Sequence, residues 1–225
     1  MSAVGHPEWL GDVFDEVLGV GLVPVVEIPD ADRAVPLAEA LAAGGIHVIE
    51  VTFRTPAAEE SLRRIAKHVS QIVRIAGTVT STVQADVALD AGADLLVAPG
   101  LNAHVVEHAM RLGIPMMPGV LTPSEVEAGL SLGLEMFKVF PIEPVGGVRY
   151  LKALAAPYPK VRWNPTGGIT LASLPDYLKM TSVLACGGSW IAPRADIEAG
   201  KFDEIAARAA EAVRVVRETN MGTKP

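Results

Sequence analysis

The sequence predicts an α/β fold: a single (β/α)8 TIM barrel with an extra N-terminal helix. Three observations carry this expectation. Short β-branched runs recur at intervals of roughly 21 to 26 residues along the 225-residue chain. Longer Ala-rich stretches with helical periodicity fill the gaps between them. No long linker or low-complexity segment interrupts the alternation. Strands alternating with helices argue for a parallel sheet, and eight such units at this length argue for closure into a barrel.

The elements follow in order. Residues 1–21 are expected to hold a helix, from Pro7 to Gly19, and residues 22–219 the barrel, in one domain spanning 1–225. Strands are expected from Val23 ("VPVVEI"), His47 ("HVIEVTF"), Val73 ("VRIAGTV"), Asp94 ("DLLVAPG"), Pro115 ("PMMPGV"), Met136 ("MFKVFP"), Val161 ("VRWNPTGG") and Val183 ("VLACGGS"). Asp30, Thr55, Asn102 and Thr122 or Ser124 are expected helix N-caps. Gly44, Gly92, Gly113 and Gly133 are expected C-terminal stops. An open, doubly wound sheet would carry a glycine-rich turn after its first strand; "EIPDADR" has none.

Composition narrows the partners. Half of the residues are hydrophobic but only 5% are aromatic, so the core is branched-aliphatic, as buried parallel strands prefer. The formal net charge is −7 and basic residues form no runs, which argues against nucleic acid and anionic membrane surfaces. Cys186 is the single cysteine, so no internal disulfide forms, in keeping with a reducing compartment. The first residues carry no basic leader and the apolar run 17–26 is too short to span a bilayer, so a cytoplasmic protein is expected.

Barrel chemistry sits at the C-terminal strand ends. Alternation along "HVIEVTFRT" turns Glu50, Thr52 and Arg54 inward and Ile49, Val51 and Phe53 toward the helices. Along "MFKVFP" it turns Met136, Lys138 and Phe140 inward. Thr78 ends the third strand and Pro99 the fourth. A carboxylate, a guanidinium, a threonine and a lysine then converge on one mouth. The pairs Gly167–Gly168 and Gly187–Gly188 read as two turns beside them, where backbone N–H groups can face an anion, with Ser189 adding a hydroxyl. A desolvated lysine amine can attack a carbonyl and form a Schiff base. Glu50 could move its protons and Arg54 could grip a carboxylate.

Blander readings stand beside these. Lys138 could pair structurally with Glu50, Glu50 and Arg54 could form a rim ion pair, and the glycines could be plain turns. "HVVEH", His104 to His108, matches a zinc-protease spacing. It falls on a helix outside the barrel with no further acidic ligand beside it, so no metal is expected there. Cys186 and Trp190 read as packing residues.

"EVTFRT", "AGTV", "APG", "FKVFP", "NPTGGI" and "GGSW", in this order and spacing, resemble the 2-keto-3-deoxy-6-phosphogluconate aldolase family of class I aldolases, from about Val23 to Arg194. The resemblance implies Lys138 as Schiff-base lysine and Glu50 as proton carrier. It implies Arg54, Thr78 and Pro99 around the pyruvyl carboxylate, Phe140 beside the imine and Thr166 facing the substrate's hydroxyls. Gly167, Gly168, Gly188 and Ser189 would hold the phosphate. It further implies pyruvate and glyceraldehyde 3-phosphate as products, activity on 4-hydroxy-2-oxoglutarate, no cofactor and a homotrimer. Thr166 favours the gluconate over the C4-epimeric galactonate substrate. Asn164 departs from the family pattern, where an apolar residue or cysteine is expected. The alternatives are an aldolase for the C4 epimer and a non-catalytic phosphosugar-binding barrel.

Overall fold

The computed structural model describes residues 20–223, so the helix expected between Pro7 and Gly19 lies outside the described residues. Among the described residues nine short strands alternate with helices, except where Pro118 alone separates two of the strands. They are β1 (Leu22–Val26), β2 (Val48–Thr52), β3 (Val73–Gly77), β4 (Leu95–Val97), β5 (Met116–Met117), β6 (Gly119–Val120), β7 (Met136–Val139), β8 (Arg162–Pro165) and β9 (Cys186–Gly188). The helices are α1 (Ala34–Ala43), α2 (Ala58–His68), α3 (Thr82–Asp90), α4 (Ala103–Leu112), α5 (Pro123–Ser131), α6 (Gly147–Ala155), α7 (Leu174–Leu178), α8 (Arg194–Glu198) and α9 (Phe202–Thr223). Short 3-10 turns stand at Ala31–Arg33 and Glu143–Val145.

The strands form a curled parallel sheet in two parts. One has the order β5-β4-β3-β2-β1-β9 and the other β6-β7-β8. Proline accounts for the first seam. Pro118 separates β5 from β6 and has no N–H to give to a ladder, yet its carbonyl still accepts from the Lys138 amide at 3.0 Å. At the second seam, β8 meets the β9 segment through the bridges Trp163↔Val183 and Thr166↔Gly187.

The outward strand faces make the core with the helices. Ile49, Val51, Phe137, Val139 and Trp163 are all fully buried, each contributing about 1.5–3 kcal/mol by burial. Phe137 and Trp163 rings pack tilted, 6.2 Å apart. Gly129 on α5 lets that helix settle on Phe137, since a Cβ there would come within 2.3 Å of the ring.

The expected caps hold at Asp30, Asn102 and Thr122, the last as a full capping box with Glu125. Thr55 is a correction. The residue before α2 is Ala57, and the Thr55 hydroxyl donates instead to the Ile28 carbonyl at 2.6 Å, tying the β2 end to the β1 end. Ser124 lies inside α5.

Candidate active site

Lys138 occupies the third position of β7, with Gly119 of β6 and Asn164 of β8 as its register neighbours. Its residue is 5% exposed and that of Glu50 1%. The Lys138 Nζ donates to Glu50 Oε1 at 3.0 Å and lies 3.3 Å from Oε2. Desolvating two charges is costly, and removing either partner would strand the other at about 3–5 kcal/mol. The carboxylate has room only because Gly77 of β3 lacks a side chain; a Cβ there would sit 2.4 Å from Oε1. The Phe140 ring, partly exposed, centres 5.8 Å from Nζ, within range of a cation–π contact.

The other sequence-expected residues lie on neighbouring strands and on the segments that follow them. Thr78 follows Gly77 and holds φ at +61°, the sole positive φ among the described non-glycine residues. Such backbone costs on the order of 1–3 kcal/mol and clusters at functional sites. Pro99 is pressed against the strand neighbour of Lys138: its carbonyl oxygen would lie 2.1 Å from a Cβ on Gly119. Arg54 stands at the rim, where its Nε donates to the Thr52 hydroxyl at 3.2 Å. Its fork also faces Glu27 Oε2 at 3.6 Å, while the other Glu27 oxygen accepts from Arg194. Sequence reasoning passed over Glu27 and Arg194. The charged residue inside the apolar run "VPVVEI" is the signal that could have found Glu27.

On the far side, Gly167 and Gly168 turn the chain after β8 with φ of +103° and +89°. This turn is braced from β7's side. Gly168 packs on Glu143, whose Cβ would be 2.7 Å from any Cβ at 168, and Glu143 Oε1 accepts from the Tyr177 hydroxyl at 2.6 Å. Burial, and then this bond to Glu143, push the Tyr177 phenol far up, so it stays a neutral donor.

The second glycine pair corrects the sequence reading. Gly187 and Gly188 are strand, not turn: they lie in β9 and pair with Val23 and Pro24 of β1. Gly187 is required by close approach, since a Cβ there would fall 2.3 Å from Thr166 Oγ1. Ser189 is exposed just beyond the strand end. Thr166 and Asn164 are both buried on the face that carries Lys138.

Other clusters lie elsewhere. His108 Nε2 sits 2.7 Å from Asp86 Oδ1 on the outer helices. No group of three His, Cys, Asp or Glu side chains that could hold a metal comes together among the described residues. A groove of about 680 Å³ runs beside α1 and α2, and its lining includes Arg64, which pairs with both Asp32 and Glu60. None of the described helices is long and apolar enough to cross a membrane.

A buried amine bonded to a carboxylate, beneath a rim arginine and a left-handed glycine turn, is an arrangement suited to carbonyl chemistry on an anionic substrate. The relatives carry such chemistry in their names. The chain is 44% identical over 200 residues to the KHG/KDPG aldolase of Escherichia coli K12, covering 88% of this chain and 94% of that one. It is 42% identical over 204 residues to the 2-dehydro-3-deoxy-phosphogluconate aldolase of Treponema pallidum, covering 91% and 97%. A crystal structure of KDPG aldolase from Legionella pneumophila, with pyruvate captured at low pH as a covalent carbinolamine intermediate, superposes with a TM-score of 0.85. It is 36% identical, covering 88% of this chain and 96% of that one. The family model for KDPG and KHG aldolases matches residues 15–208, and with that span and these identities the chain belongs to the KDPG and KHG aldolase family.

Proposed function

We propose that this chain cleaves 2-keto-3-deoxy-6-phosphogluconate to pyruvate and glyceraldehyde 3-phosphate through a Schiff base on Lys138. The observation that carries the reading is the 3.0 Å contact between the buried Lys138 amine and the buried Glu50 carboxylate. Glu50 takes a proton from the Lys138 ammonium, and the freed amine attacks the C2 carbonyl. Glu50 returns that proton to the carbinolamine hydroxyl, which leaves as water to give an iminium and restores the carboxylate. Glu50 next removes the C4 hydroxyl proton. The C3–C4 bond breaks, glyceraldehyde 3-phosphate leaves, and the electron pair enters the iminium to give an enamine. Protonation at C3 and addition of water release pyruvate and the free amine.

The other roles are those that the family resemblance implies. Arg54, Thr78 and Pro99 surround the pyruvyl carboxylate, Phe140 covers the imine and Thr166 meets the substrate's hydroxyls. Gly167, Gly168, Gly188 and Ser189 take the phosphate. No cofactor or metal is needed, since the amine itself supplies the electron sink. The same pyruvyl end admits 4-hydroxy-2-oxoglutarate. On this reading β5 and β6, interrupted by Pro118, count as one strand, and the protein is one eight-stranded barrel in a single domain, acting in the cytoplasm as a homotrimer.

A coupled assay tests the reading. The purified protein should release pyruvate from 2-keto-3-deoxy-6-phosphogluconate with excess chelator present. A protein that binds the phosphosugar without releasing pyruvate would be a binding barrel and would end the proposal.

A further inference from the structure

Glu27 has no part in the chemistry above, yet it is a second carboxylate at the mouth of the pocket. Val25 of β1 pairs in register with Glu50 of β2. Glu27 follows β1 directly, so alternation returns it to the face of Glu50, two residues nearer the mouth. Two half-exposed arginines meet it there. Its Oε1 accepts from Arg194 Nη1, while its Oε2 lies 3.6 Å from Arg54 Nη1. The first contact is close and charge-assisted; the second is beyond hydrogen-bond range.

Each arginine is anchored elsewhere as well. Arg54 Nε donates to the Thr52 hydroxyl at 3.2 Å, and that hydroxyl gives its own proton to the Val26 carbonyl at 2.9 Å. Among the described residues this is the one hydrogen bond of the Arg54 side chain, so its terminal nitrogens are left for a ligand. Arg194 Nε donates to Glu198 Oε1 at 2.8 Å, one turn along α8, while its Nη1 reaches Glu27. The balance matters because Glu27 and a substrate carboxylate compete for the same fork. A carboxylate tethered on the adjacent strand end acts at a high effective concentration, and a guanidinium can take a carboxylate on two N–H groups at once. The pull of Arg194 opposes that closure.

We propose that Arg194 is a positioning residue that holds Glu27 off Arg54, so that the Arg54 fork stays open to the substrate carboxylate. At 3.6 Å, Glu27 is near enough to orient the guanidinium and too far to take its N–H groups. Arg194 touches no substrate; it acts through Glu27. This inference rests on the aldolase reading, in which Arg54 meets the pyruvyl carboxylate, and adds to it a charged pair that tunes that end of the pocket.

The test uses pyruvate, which carries the carboxylate and no phosphate. The rate of borohydride trapping on Lys138 is measured against pyruvate concentration. In Arg194→Ala, Glu27 is released onto Arg54, so the half-saturating pyruvate concentration should rise about tenfold, the weight of one charge-assisted hydrogen bond. The saturating rate should change little. Glu27→Gln should stay near wild type, because a neutral amide competes poorly for a guanidinium. The double variant Glu27→Gln, Arg194→Ala should return to near wild type, a rescue that structural damage at Arg194 would not give. KM for the phosphorylated substrate should follow the same pattern with kcat held. An unchanged half-saturation in Arg194→Ala overturns the proposal, and so does a rise that Glu27→Gln fails to rescue. A loss confined to the phosphorylated substrate also overturns it and assigns Arg194 to the phosphate instead. If Arg194→Ala does not fold, Arg194→Gln is measured in its place with the same expectations. A wild type that forms no reduced pyruvyl adduct on Lys138 defeats the aldolase reading itself, an outcome separate from a wild type that traps pyruvate with no dependence on Arg194.

Discussion

At the scale of single residues, Lys138 and Glu50 carry the account. Their contact is the kind of buried ion pair that adds little net stability but that cannot lose one member cheaply. Glu50→Gln keeps shape while removing the proposed proton carrier, so turnover should fall about 10²-fold or more. Steady-state kinetics check this, and unchanged turnover would reduce Glu50 to a structural partner. Gly77 provides an independent probe of the same geometry. In Gly77→Ala the new methyl meets Glu50 Oε1 at 2.4 Å, so either the carboxylate or β3 must shift. Such overpacking costs about 1–3 kcal/mol. A lowered melting temperature together with reduced kcat is expected; a variant with wild-type kcat would show that the position of Glu50 does not matter.

At the scale of elements, strands and their facing were legible because alternation and β-branched runs are local signals. "HVIEVTF" and "MFKVFP" suffice to turn Glu50 and Lys138 inward, and the two meet at 3.0 Å. What stayed hidden depends on neighbours distant in sequence. Thr55 reads as a cap until the Ile28 carbonyl is beside it. Gly187–Gly188 reads as a turn until β1 pairs with it. Glu27 looks like an ordinary strand-end acid until Arg54 and Arg194 converge on it. The bond from Asn164 to Ala185 spans elements whose register no local pattern reveals. The element ends also divide the site. Ser189→Asp puts a negative charge where the phosphate is proposed to sit, and kcat/KM for the phosphorylated substrate should fall about 10²-fold or more. Cleavage of 4-hydroxy-2-oxoglutarate, which has no phosphate, should fall much less. Equal losses on both substrates would remove Ser189 from the phosphate site.

At the scale of the whole molecule, the branched-aliphatic composition has become a core that seals its one thiol. Cys186 is fully buried, and burial pushes its thiol well above the usual range, so thiolate is scarce at neutral pH. An aromatic disulfide reagent should leave the native protein untouched over the time in which unfolded protein reacts completely. Rapid reaction in native buffer would mean that β9 opens readily, and with it the wall beside Thr166.

The central claim is covalent and is settled by mass. Pyruvate and sodium borohydride together should inactivate the enzyme, add one reduced pyruvyl group per chain and place it on Lys138 in a peptide map, while chelator leaves activity intact. An adduct on any other lysine, or no adduct from an active enzyme, would contradict the account.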